Sequence, residues 1–216
     1  MLRKYITEAQ KNKTEYSLGS TQIIILEQPN IDFGEVVQQL QRYIPRYLLS
    51  LIDTVYIGRF EELTIKAVDS AYMDGAIYML PDQTSVEDAF EDIVHEIAHA
   101  FEEAHRQDVY EDQKIAKEFV YKRMALKALL DNPPDCDFRN IDYDLELDDY
   151  LFTEVGYPLL QKITMGLFLD PYSITSLREY FATAFEGYFL HKNRKEIKEL
   201  CPAIYEKLEN IEEIIL

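Results

Sequence analysis

The sequence predicts an α+β fold, mainly helical, with a small β-sheet preceding a helix that carries His95-Glu96-Ile97-Ala98-His99. Three observations predict it. Short β-branched runs come before residue 81, a capped segment with helical apolar spacing starts near Ser85, and mostly helical patterns follow it. With 216 residues and 47% hydrophobic content, the chain suffices for one domain with a packed core, in which residues 1–50 are a candidate accessory segment.

Residues 1–20 are polar and read as an arm, or as a helix followed by the turn Leu18-Gly19-Ser20. Gln22-Ile23-Ile24-Ile25-Leu26-Glu27 is a β-branched run closed by Pro29-Asn30, which predicts a strand. Asp32 is placed to cap a helix bearing Val36, Val37, Leu40, Tyr43 and Ile44. Pro45 interrupts that helix, and Tyr47-Leu48-Leu49 continues it after a kink. Val55-Tyr56-Ile57 is the second strand. The third is Ala76-Ile77-Tyr78-Met79-Leu80, entered from the turn Met73-Asp74-Gly75.

Ser85-Val86-Glu87-Asp88 combines an N-cap with acids in the first turn, where the helix dipole favours negative charge. The apolar positions Val86, Ala89, Phe90, Ile93, Val94, Ile97, Ala98, Phe101 and Ala104 then form a broad stripe. His95 and His99 stand four residues apart, one turn above each other on the edge of that stripe, so both rings can reach one ion from the same side. This is the HExxH arrangement of catalytic zinc sites, and it places Glu96 beside the metal's open position.

Beyond this helix, residues 109–130 have amphipathic spacing and stop at Asp131-Asn132-Pro133-Pro134. The acidic stretch Asp135 to Asp149 lacks the glycine and glutamate spacing of a calcium loop and reads as a solvated loop. Leu151 to Leu169 is helical with a break near Gly156-Tyr157-Pro158. After the turn Asp170-Pro171-Tyr172-Ser173, Thr175 or Ser176 opens a helix that runs to about His191.

Composition narrows the function classes. A formal charge of −18 opposes a nucleic-acid partner, because phosphate backbones repel acidic surfaces. No run of 18 apolar residues is present, and the opening Met1 to Glu8 has no apolar signal segment, so the expectation is a cytoplasmic protein without a membrane partner. Cys136 and Cys201 are too few for a disulfide framework and read as reduced thiols. The oligomeric state is not legible.

Catalytic zinc takes three protein ligands, so a third is needed. His105 fits the spacing HExxHxxGxxH, but Glu102 stands where that pattern requires glycine. On a continuing helix His105 is turned about 240° from His99 and sits about 9 Å further along the axis. Glu103 shares the histidine face yet lies another turn away. The best distant candidate is Glu179, which opens an otherwise apolar helix containing Phe181, Ala182, Ala184, Phe185, Tyr188 and Phe189. An inward acid there needs a cation partner; a glutamate on the solvent face of that helix is the alternative.

Glu179 followed by Tyr180-Phe181-Ala182-Thr183-Ala184-Phe185, with Tyr172 seven residues before it, resembles the catalytic domain of anthrax lethal factor and the Pro-Pro endopeptidases. Asp74-Gly75-Ala76-Ile77-Tyr78 ahead of Val94 to His99 also resembles small bacterial proteins of phage and mobile elements. The resemblance spans roughly residues 50 to 190 and implies a zincin-like fold of the gluzincin type. It implies Zn2+ as cofactor, His95, His99 and Glu179 as its ligands, Glu96 as the base acting on water, and Tyr172 as donor to the oxyanion. The acid that would support a histidine four residues after the ligand glutamate is Thr183 here, with Glu186 on the same helical face as a substitute.

The function expected is therefore zinc-dependent hydrolysis of a peptide bond in a protein or peptide substrate. Ala76, Ile77, Tyr78 and Met79 are the expected substrate-binding strand, offering an exposed edge to an extended chain. Two alternatives remain open at this point. One is a catalytically inactive binding protein of the same fold, and the other is an acidic inhibitor of a basic partner.

Overall fold

The computed structural model describes residues 14–190 and 194–215 and has α+β architecture, with helices and one mixed five-stranded sheet. The chain divides into two compact units, residues 1–104 and 105–216.

The first unit holds the sheet, in the order β1-β2-β3-β5-β4. The strands are β1 (Thr14–Leu18), β2 (Thr21–Ile25), β3 (Thr54–Ile57), β4 (Ser70–Met73) and β5 (Ala76–Met79). β2, β3 and β5 run parallel to one another, while β1 and β4 flank them as antiparallel edges. Ile23, Ile25, Val55, Ile57, Ile77 and Met79 are all buried, as expected of parallel strands covered by helices. Asp32 accepts from the Gly34 amide and starts the helix Phe33–Tyr43, and Pro45 separates it from Arg46–Leu49, as the sequence predicts. These two helices form the crossover from β2 to β3. Residues 14–50 supply two strands of the sheet and its first crossover; residues 1–13 lie outside the described residues.

β1 and β4, and the helix Glu61–Lys66, go beyond the elements expected from sequence. Each edge strand closes a two-residue hairpin. In the second hairpin both turn residues have positive φ, +50° at Asp74 and +81° at Gly75, the mirror-image turn for which Asp-Gly is suited. The expected substrate strand is corrected here: Ala76, Ile77, Tyr78 and Met79 form β5, which is paired on one side with β3 and on the other with β4. Its backbone has no free edge. Among the described residues, the outermost strand on that side of the sheet is β4.

The motif helix runs Val86–Ala104, and Ser85 Oγ accepts from the Asp88 amide as the N-cap the sequence predicts. Within the same unit this helix packs against β4 and the helix Phe33–Tyr43.

The second unit is helical. The amphipathic region expected over 109–130 is divided into Arg106–Tyr110 and Lys114–Lys127 by Gln113, the N-cap of the second helix, which adopts φ +58°; just before it, Asp112 accepts from the Lys114 amide. The acidic stretch is not loop throughout. Asp144 accepts from the amides of Glu146 and Leu147 and starts a short helix, Leu145–Asp149, which continues as a π-helix over Tyr150–Val155. Gly156, at φ +76°, separates that from Tyr157–Ile163, matching the expected break. Ser176 Oγ then accepts from the Glu179 amide and opens the helix Leu177–Phe189.

Leu177–Phe189 is the centre of this unit. Tyr180, Phe181, Ala182, Ala184, Phe185, Tyr188 and Phe189 are buried, and the helix packs against Lys114–Lys127 and Pro202–Ile215. Phe119 meets Tyr180 at 5.4 Å and Phe168 at 6.4 Å between ring centroids, and Tyr188 meets Tyr205 at 5.6 Å. Tyr180 donates to Glu118, whose other oxygen accepts from the Ala203 amide, so one carboxylate joins three helices. This packing fixes the rotation of the helix and with it the direction in which Glu179 points. Among the described residues, no helix is long and apolar enough to cross a membrane.

Candidate metal centre

One ligand atom from each of His95, His99 and Glu179 lies within 4.8 Å of the other two. It is the one group of histidine, cysteine and acidic side chains found among the described residues that could hold a metal ion. The i, i+4 spacing in the middle of a buried helix brings the two imidazoles together. Their ring centroids are 5.0 Å apart with planes at 84°.

His99 is buried, while His95 and Glu179 are half-buried. In a tetrahedral site two ligands at about 2.1 Å from a common zinc stand about 3.4 Å apart, so the three atoms would close in by at most about 1.4 Å on binding an ion. Two imidazole nitrogens and one carboxylate oxygen form a three-ligand set suited to catalytic zinc. The donor set and its spacing thus fit the metal.

Glu96 is buried, at 6% exposure, and its two oxygens are engaged separately. Ser70 Oγ donates to Oε1 at 2.7 Å, and the Tyr72 amide donates to Oε2 at 2.7 Å. A carboxylate at this depth requires such donors, since an unsolvated charge without partners is costly. Both donors belong to β4, a strand that no sequence pattern announces. Ser70 is 26 residues from Glu96, and no local pattern links the two positions.

A second carboxylate also comes from the motif helix. Glu102, 9% exposed, places Oε2 at 3.9 Å from His99 Nδ1, one turn further along. The sequence offers Thr183 and Glu186 for supporting a histidine; both are half-buried on Leu177–Phe189, and neither is among the metal-competent group. His105 is likewise outside that group and lies 3.6 Å from Asp108.

Tyr172 sits in a 3-10 turn, Tyr172–Ile174, just ahead of the helix that bears Glu179, and it is 38% exposed. Burial of its phenol, followed by the negative charges of Glu179 and Asp148, pushes its pKa well above the ordinary tyrosine value. At neutral pH it is therefore a hydrogen-bond donor. Tyr78 of β5 serves packing: it stacks on Tyr56 at 5.5 Å and meets Phe60 edge-on at 5.2 Å.

No protein-family model matches the chain, and no curated protein or solved structure matches it.

Proposed function

We propose that this chain is a zinc-dependent endopeptidase with a zincin-like fold of the lethal factor-like, gluzincin type. The observation that supports it most is the grouping of His95, His99 and Glu179, two ligands from one helix turn and a third from eighty positions later. HExxH spacing alone does not require a distant acid to face the histidines. A surface role for Glu179 would not require it either.

When bound, zinc supplies a Lewis acid that makes a water acidic near neutral pH and polarises a peptide carbonyl. His95, His99 and Glu179 would hold it. Glu96 takes the proton from the attacking water and passes it to the leaving amine, the work of a general base and then a general acid. Tyr172 donates its hydroxyl to the oxyanion that develops on the carbonyl, a contact that strengthens only as charge appears. The substrate is an extended peptide.

The test pairs metal analysis with Glu96→Gln. The wild-type chain is expected to bind one zinc and cleave casein, whereas Glu96→Gln keeps the zinc and loses cleavage by about a hundredfold or more. Full activity in Glu96→Gln would remove Glu96 as the base. Zinc without cleavage in the wild type would favour a binding protein of the same fold, and absence of zinc affinity would favour an acidic inhibitor.

A further inference from the structure

Edge geometry singles out two positions on β4. Met73 and Ala76 flank the Asp74-Gly75 turn and form the hydrogen-bonded pair that closes the hairpin. Pairs in an antiparallel ladder alternate between bonded and non-bonded, so Ala71 bonds across to Tyr78, whereas Tyr72 and Ser70 turn their backbone groups away from β5. Glu96 meets β4 at these two residues, taking the Tyr72 amide on one oxygen and the Ser70 hydroxyl on the other.

A serine hydroxyl facing a carboxylate donates, and each carboxylate oxygen retains a second acceptor site. Two donors on two different oxygens fix both the rotamer of Glu96 and the plane of its carboxylate. One donor alone would leave rotation about the terminal bond free. Proton transfer to and from a water depends on that plane being held.

We propose that Ser70 and the Tyr72 amide form a two-donor bracket that presets the Glu96 carboxylate, and that Ser70 is a positioning residue for the base. This rests on the endopeptidase reading for its catalytic consequence. The bracket itself is observable without catalysis.

The experiment uses the full zinc-loaded chain, labelled with 13C in glutamate carboxylates, as wild type, Ser70→Ala and Ser70→Thr. The Glu96 carboxylate signal is assigned by its loss in Glu96→Gln. It is expected to move in Ser70→Ala and return in Ser70→Thr, with zinc content and the amide signals of β5 unchanged. With casein as substrate, Ser70→Ala is expected to lower kcat about tenfold at unchanged KM, the effect of losing one hydrogen bond to a charged group, and Ser70→Thr to restore it. A Glu96 signal indifferent to Ser70→Ala overturns the proposal, as does a loss of activity that appears in KM or in zinc content. If the wild type cleaves nothing while the signal responds as described, the endopeptidase reading fails and the bracket stands.

Discussion

His99 Nδ1 faces Glu102 Oε2 across one turn of the motif helix at 3.9 Å, with both side chains buried. A histidine ligand ordinarily directs its second ring nitrogen to a carboxylate or carbonyl, which fixes its tautomer and raises its basicity. Glu102 is the carboxylate of the motif helix that stands nearest to this ring in an ion pair, so it is the group whose charge would act on His99 as a ligand. Glu102→Gln is therefore expected to weaken zinc binding about tenfold, read by competition with a chromophoric chelator. Unchanged affinity would assign Glu102 to packing alone.

Tyr172→Phe removes the proposed oxyanion donor and leaves the ring in place. Loss of such a donor costs about a hundredfold in turnover. The expected result is that fall in kcat with zinc content unchanged, measured on casein by initial rates. A variant as fast as the wild type would free Tyr172 from the mechanism.

Alkaline pH is expected to destabilise the fold. Burial raises the fully buried Cys201 thiol from 9.0 to about 11, and it raises the buried phenols of Tyr180 and Tyr188 as well. The unfolded chain releases these protons at ordinary values and the folded chain retains them. Between pH 9 and 11 the unfolded state thus binds fewer protons, and stability falls as pH rises, by about 1.4 kcal/mol per pKa unit for a buried group. Lys122 acts in the opposite direction, since burial lowers its pKa, but it is one group against three. Thermal unfolding is expected to show a Tm that is level to about pH 8.5 and then declines. A Tm that rises from pH 9 to 11 would contradict these assignments.

The legible parts of the fold are those whose residues answer to local rules. β2, β3 and β5 are apolar or β-branched because they are the interior strands of the sheet, and Asp32, Ser85 and Ser176 announce helices by capping them. β1 and β4 escape notice because they are edges. Thr14 to Leu18 is largely exposed, and no residue of β4 is fully buried, so neither has a buried face to impose alternation.

The break at Gln113 is also silent in sequence, since glutamine gives no warning of a left-handed conformation. At the site, helical spacing makes the His95–His99 pair evident and says nothing of what meets it. Glu179 is one acid among 40, and its place is set by the packing of Tyr180, Phe181 and Phe185. Ser70 and Tyr72 depend on strand register across the hairpin, which no pattern at Glu96 encodes.

Zinc affinity of the purified full chain, measured for the wild type, His99→Ala and Glu179→Ala, tests the account most directly. One zinc per wild-type chain, with affinity lost in both variants while circular dichroism stays unchanged, is the result expected. A Glu179→Ala chain that binds zinc as tightly as the wild type would contradict it.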